Sequence, residues 1–280
     1  MVGWLTFFKE RVPLLSFCFS SAGIAVSASV VATGTISSPT LLTLFGLVLF
    51  FATLRVMDDI KDVGKDRIAH PKRALAAGVI SIKQAKAGVQ VMLGIHIAFA
   101  AILHLSLNAV AGLTFLVLTA YLWLMYREFF VGAWLQERPL LYALTHQIII
   151  VPCTAFATAT VAPDSVFTKE TAALSALFFG GFFAYEVGRK FDPKAHRVLN
   201  TYRQVYGAVP SAAFMAAAMV ISVIGAITLG ILPYTIAVQL LCATIPFTIA
   251  LGAPRAYKSV EMIATLTLAF VLWAPIVLWR

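Results

Sequence analysis

The sequence predicts an all-α membrane protein: a polytopic bundle of about nine transmembrane helices, forming a single domain over residues 1–280, with its N-terminus in the cytoplasm. Three observations predict it. The chain is 61% hydrophobic and only 12% charged, with a mean hydropathy of +0.92, whereas a soluble domain is usually about one-quarter charged. Its apolar residues come in runs long enough to cross a bilayer. Its basic residues are confined, with two exceptions, to alternate connections between those runs.

The first run, 13–34, follows Lys9 and Arg11. It is long for the apolar region of a cleaved signal, and more spans follow, so it is expected as a retained first helix. The others lie near 40–58, 87–106, 109–126, 139–160, 170–188, 208–230, 233–251 and 260–279. Pro39, Pro139, Pro210, Pro233 and Pro254 mark several of their ends. The segment 58–66 continues the second helix beyond its apolar part.

Nine spans place the termini on opposite sides. On the side of the N-terminus then lie 19 of the 21 lysines and arginines, all except Lys169 and Arg280. The positive-inside rule makes that side cytoplasmic. The rule does not govern acidic residues, yet nine of the 12 share the same side, leaving Asp164, Glu170 and Glu261. The net charge of +9 is explained by topology and anionic headgroups, so no nucleic-acid partner is expected. Cys18, Cys153 and Cys242 sit in apolar runs at no metal-ligand spacing and read as buried small hydrophobes.

Within Asp58-Asp59-Ile60-Lys61-Asp62-Val63-Gly64-Lys65-Asp66 the four carboxylates fall at about 0°, 100°, 40° and 80° on a helical wheel. Lys61 and Lys65 fall at about 300° and 340°. Like charges at this spacing repel, so a cation is expected to bridge them. One reading is a solvated helix end whose aspartates pair with neighbouring basic residues. The other is a Mg²⁺ site, since proteins hold Mg²⁺ through one or two carboxylates plus substrate phosphate. The separate arc of carboxylates favours the metal.

Asp58-Asp59-x-x-Asp62-x-x-x-Asp66 and the following Arg67, then Pro71-Lys72-Arg73-Ala74-Leu75-Ala76-Ala77-Gly78, resemble the first signature of the UbiA superfamily of intramembrane prenyltransferases. That signature reads N-D-x-x-D-x-x-x-D, followed by a segment like R-P-L-x-x-G. Asp58 stands where the family has asparagine, and Lys72-Arg73-Ala74-Leu75 is a looser match. The resemblance covers essentially the whole chain. It implies a metal site of Asp58, Asp59, Asp62, Asp66 and Glu186, these residues being catalytic, with Lys72, Arg73, Arg127, Arg189 and Lys190 binding a diphosphate. Glu186 stands for the first residue of the family's second motif, D-x-x-x-D. Four positions later, where an aspartate is expected, is Lys190. The basic groups are expected to take over part of a second metal ion's work, as in a divergent E-x-x-R-K branch, against the reading of a decayed site.

The implied activity is Mg²⁺-dependent transfer of a prenyl group from a prenyl diphosphate to an aromatic or lipophilic acceptor. The implied setting is a multi-pass protein among the lipids of a bacterial-type inner membrane, with its site facing the cytoplasm. Phe51, Tyr121, Tyr126, Phe182, Phe183 and Tyr185 are candidate walls for an allylic cation, and Tyr142, His146 and Gln147 candidates to orient an acceptor. His96 reads as structural. A terpene cyclase on the same scaffold is the nearest alternative. A transporter or permease, or a non-catalytic binder of diphosphate lipids, belongs to another class. Few mid-span charges and no clear inverted repeat disfavour transport.

Overall fold

The computed structural model describes residues 2–253 and 256–279. Pro254, Arg255 and Arg280, which entered the reading of helix ends and charge, lie outside them. The described structure is all-α: α1 Val2–Arg11, α2 Leu14–Thr33, α3 Pro39–Ala69, α4 Ile82–Ser106, α5 Ala109–Tyr126, α6 Gly132–Gln136, α7 Pro139–Gln147, α8 Ile150–Val161, α9 Lys169–Gly188, α10 Tyr202–Tyr206, α11 Ala208–Thr228, α12 Leu232–Gly252 and α13 Lys258–Trp273. Among the described residues nine segments are long and apolar enough to span a membrane, the fifth made of α7 with α8 and the ninth of α13 with a short 3₁₀ turn. They coincide in order and number with the nine apolar runs, and the chain is a multi-pass membrane protein.

Consecutive spans pack as neighbours, and α13 returns to α2 to close the ring. The most deeply buried span is α9, which packs on α7, α8, α11 and α13. Small residues set its distance from α11. A side chain on Gly180 would meet the Ala218 carbonyl and Ser222, and one on Gly225 would meet the α9 backbone near Ala173 and Leu177. Close backbone approach of this kind is how helices associate where lipid removes the hydrophobic drive. Across the same contact Ser222 donates to the Leu177 carbonyl at 3.2 Å and accepts from Gln239 of α12 at 2.8 Å.

Several polar residues inside the bundle are paired in the same spirit. His96 of α4 lies between Thr53 of α3, at 3.1 Å, and Thr119 of α5, at 3.0 Å, with its ring stacked on Phe115. It ties three spans together.

The structure adds two features to the apolar pattern. The first is α1, which ten residues make too short to register as a span. It is held by Phe7, only 1% exposed, by Trp4 seated over Gly88 of α4, and by Glu10, which accepts the Ala74 N–H at 3.0 Å. The second is a break in the run 139–160, where α7 stops at Gln147 and α8 begins at Ile150. Pro152 explains it, because proline has no N–H for the carbonyl four residues earlier, that of Ile148, and its ring crowds that carbonyl.

Candidate functional site

At one end of the bundle α3 runs on past its apolar part to Ala69 and carries all four aspartates on continuous helix. Asp59 and Asp66 are buried, Asp58 is half-buried and Asp62 is exposed. The buried pair is already neutralised by the protein. Asp59 receives the Arg11 guanidinium through two bonds, from Nε at 2.7 Å and Nη2 at 2.9 Å, and Arg55 lies 3.2 Å away one turn back along α3. Asp66 is bound by Arg73 at 2.6 Å. The forked Arg11–Asp59 contact is of the strong, directional kind.

Asp58 is 3.0 Å from the Lys61 ammonium. The wheel set Lys61 outside the carboxylate arc, but a four-carbon stem reaches back to a carboxylate three residues earlier. Asp62 makes no ion pair within 4 Å among the described residues, although the charges of Asp58, Lys61, Lys65 and Asp66 surround it. Among the described residues no three carboxyl, imidazole or thiol groups gather closely enough to cage a metal. The full set expected from the sequence is therefore not assembled as one cluster. Asp58 and Asp62, one helical turn apart at the exposed margin, do suit a single Mg²⁺, which needs one or two carboxylates when phosphate oxygens supply the rest.

The second constellation lies where α9 ends. Glu186 is gripped from both sides: Arg189 reaches Oε2 at 2.6 Å from Nε and 2.5 Å from Nη2, and Lys190 reaches Oε1 at 2.6 Å. The Tyr202 hydroxyl donates to Oε1 at 3.4 Å, and Lys190 sits over the Tyr202 ring, 5.3 Å from its centre. Burial, and then the Glu186 carboxylate, raise the Tyr202 pKa above the ordinary phenol value, so this hydroxyl remains a donor. Arg189 and Lys190 thus face a carboxylate of their own chain, a partner the sequence reading did not give them. Glu186 holds cations where the resemblance implied that it holds metal.

The two constellations are brought to the same end. A 3₁₀ turn at Arg197–Leu199, beyond α9, packs on α3. The charges of Arg73, Asp66, Arg11 and His196 all act on His70, whose pKa is lowered, first by burial and then by Arg73. Of the remaining expected diphosphate binders, Lys72 is exposed and without an ion pair among the described residues. Arg127 lies over the Phe130 ring at 5.4 Å and lines a cleft of about 310 Å³ with Lys61, Lys86, Tyr126 and Glu128. Beside it Glu128, Phe129 and Phe130 all take left-handed backbone angles, φ 49°, 53° and 61°. Successive non-glycine residues in this region are strained. The turn presents Glu128 to the Tyr142 hydroxyl at 3.3 Å and to the Gln136 amide.

Phe51 of α3 and Phe182 of α9 stack face to face with centroids 6.4 Å apart, so two of the aromatic candidates share one space. Phe183 instead belongs to the cluster against α11 and α13, and Tyr121 donates to the Thr145 carbonyl at 2.7 Å. Tyr142 and His146 stack with centroids 4.0 Å apart, and Lys61 lies 6.0 Å from the Tyr142 ring centre. Arg11, Arg55 and Glu10 join the site without belonging to either sequence motif. Arg55 precedes Asp59 by one turn and was legible. Arg11 lies 48 residues from its partner, and nothing in the sequence joins them.

No protein-family model matches the chain, and no curated protein matches it. Solved structures do match in fold. A digeranylgeranylglyceryl phosphate synthase structure is 17% identical, with 99% of this chain and 98% of that one covered and a TM-score of 0.67. The apo structure of a UbiA homologue from Aeropyrum pernix K1 is 18% identical, covering 95% and 98%, with a TM-score of 0.65. A UbiA homologue from Archaeoglobus fulgidus, bound to GPP and Mg²⁺, is 18% identical, covering 97% and 99%, with a TM-score of 0.60. At these identities the likeness is one of fold, and it extends over nearly the whole of both chains.

Proposed function

We propose that this chain is a UbiA-superfamily membrane prenyltransferase that moves a prenyl group from a prenyl diphosphate to an aromatic or otherwise lipophilic acceptor. The carrying observation is the gathering, at one end of a bundle of that fold, of two helix-borne carboxylate groups with Arg11, Arg55, Lys61, Arg73, Arg189 and Lys190. A structure of the same fold bound to GPP and Mg²⁺ supports the substrate class. The concentration of basic residues at this end supports a cytoplasmic site with the N-terminus on that side, and the membrane assigned to it is of the bacterial inner type.

Bound Mg²⁺ supplies electrostatic stabilisation of the departing diphosphate. Asp58 and Asp62 are the residues that would hold it. Arg189 and Lys190, fixed by Glu186, offer a second positive group where a further metal would otherwise be needed, and Lys72, Arg73 and Arg127 add to the field that draws in a diphosphate. Phe51 and Phe182, stacked on each other, are the ring faces assigned to the tail and to an allylic cation. Terpene cyclisation begins with the same ionisation, so products separate the two.

The test is diphosphate release by purified protein from geranyl, farnesyl and geranylgeranyl diphosphates, with Mg²⁺ or with EDTA, and mass spectrometry of organic extracts. Metal-dependent release is expected, and Asp62→Asn should raise the Mg²⁺ needed for half-maximal rate by at least about 10-fold. A cyclised hydrocarbon would replace the transferase with a cyclase. Absence of release from all three would leave a transporter or a diphosphate-lipid binder.

A further inference from the structure

His146 stands at the C-terminal end of α7, two turns in from Pro139 and immediately before the break that Pro152 imposes. Its Nδ1 is 2.8 Å from the Tyr142 carbonyl oxygen. A carbonyl only accepts, so Nδ1 carries the proton of the neutral ring and Nε2 carries the lone pair. Aromatic rings pack against the imidazole. It is stacked on Tyr142 at 4.0 Å with an interplanar angle of 12°, and the Phe129 ring meets it edge-on at 5.8 Å. Nε2 is buried and has no hydrogen-bond partner among the described residues. A fixed, buried, unsatisfied acceptor destabilises a fold and calls for an explanation.

Its place supplies one. The Tyr142 ring that fixes His146 lies beneath the Lys61 ammonium, and Lys61 pairs with Asp58 at 3.0 Å. The free lone pair is thus one ring and one side chain from the carboxylates proposed to hold the metal. His96, the other imidazole within the bundle, makes the opposite case, because both of its nitrogens are bonded to threonine hydroxyls.

We propose that Nε2 of His146 accepts a hydrogen bond from a hydroxyl of the prenyl acceptor and removes its proton during transfer. The inference rests on the prenyltransferase reading above. In the step, the prenyl C1–O bond to diphosphate breaks and its electron pair leaves with the diphosphate. A new C1–O bond forms to the acceptor oxygen, and the hydroxyl proton passes to Nε2. Tyr142 and its carbonyl are positioning groups that keep the reactive nitrogen unprotonated and aimed.

Two measurements test it, with 1-naphthol as a lipophilic hydroxyl probe. In ¹⁵N-histidine-labelled protein, the His146 signal, assigned by its loss in His146→Gln, should show a lone pair at Nε2 and should shift on adding 1-naphthol while the His96 signal stays. With geranylgeranyl diphosphate and Mg²⁺, formation of prenylated naphthol is compared between the unaltered protein and His146→Gln, with thermal denaturation in detergent confirming that the variant is folded. Prenylated naphthol should fall about 100-fold or more, the lower bound for losing an acid–base group. A His146 signal that naphthol leaves unmoved overturns the assignment, as does full prenylation by His146→Gln. A shift with naphthol in a protein that releases no diphosphate would sustain the hydroxyl contact and remove the transferase reading instead.

Discussion

Arg11 illustrates how much a single side chain alters the reading of the site. A stripe of four aspartates invites a metal, and by spacing alone each member is equivalent. The guanidinium of Arg11 makes them unequal by binding Asp59 with two hydrogen bonds, with Arg55 behind it. Removing Arg11 leaves the buried Asp59 carboxylate with Arg55 alone and without the forked pair of bonds. Arg11→Ala is therefore expected to destabilise the protein by about 1.5–3 kcal/mol, the range for hydrogen bonds to charged groups. Arg11→Lys should recover only part, since an ammonium lacks the fork. Thermal denaturation in detergent, run as a double-mutant cycle with Asp59→Asn, reads the coupling. Additive effects would show that the two residues are independent, and Asp59 would then be available to a metal.

Helices supply the next scale, and here packing rather than propensity decides. The α9–α11 contact depends on Gly180 and Gly225 having no side chain, because each faces backbone atoms of the opposite helix. Gly180→Val should force the helices apart, break the Ser222 hydrogen bond to the Leu177 carbonyl and cost about 1–3 kcal/mol, the usual penalty for overpacking. Because α9 carries Glu186, Arg189 and Lys190 at its end, the same variant is expected to weaken diphosphate binding. Binding of inorganic diphosphate measured beside thermal stability checks both parts, and normal values for both would show that the contact tolerates a branched side chain. The interruption between α7 and α8 belongs to this scale too. Proline at position 152 is visible in the sequence, but an apolar run read by hydropathy alone passes through it.

The orientation of the whole molecule in its membrane is open to direct labelling. The turn holding exposed Lys194 lies at the charged end, and Phe167, 98% exposed, lies between α8 and α9. With Cys18 replaced by alanine, a membrane-impermeant maleimide applied to intact cells should label Phe167→Cys and spare Lys194→Cys until the membrane is opened. The reverse pattern would invert the topology and place the site outside the cytoplasm.

Hydropathy and charge alone determined the number and order of the spans and the gathering of ionisable residues at one end, because lipid requires each crossing segment to be apolar along its length and to satisfy its own backbone. The helical period likewise placed Asp58, Asp59, Asp62 and Asp66 on one arc. Tertiary structure decided which carboxylates are engaged. Arg11 reaches Asp59, Arg73 folds back to Asp66, and Glu186 takes Arg189 and Lys190 for itself. It also fixed His146 with its lone pair unpartnered. Pairing of charges depends on distances of a few ångströms between side chains brought together by packing, and periodicity along a chain carries no record of which helix will lie beside which.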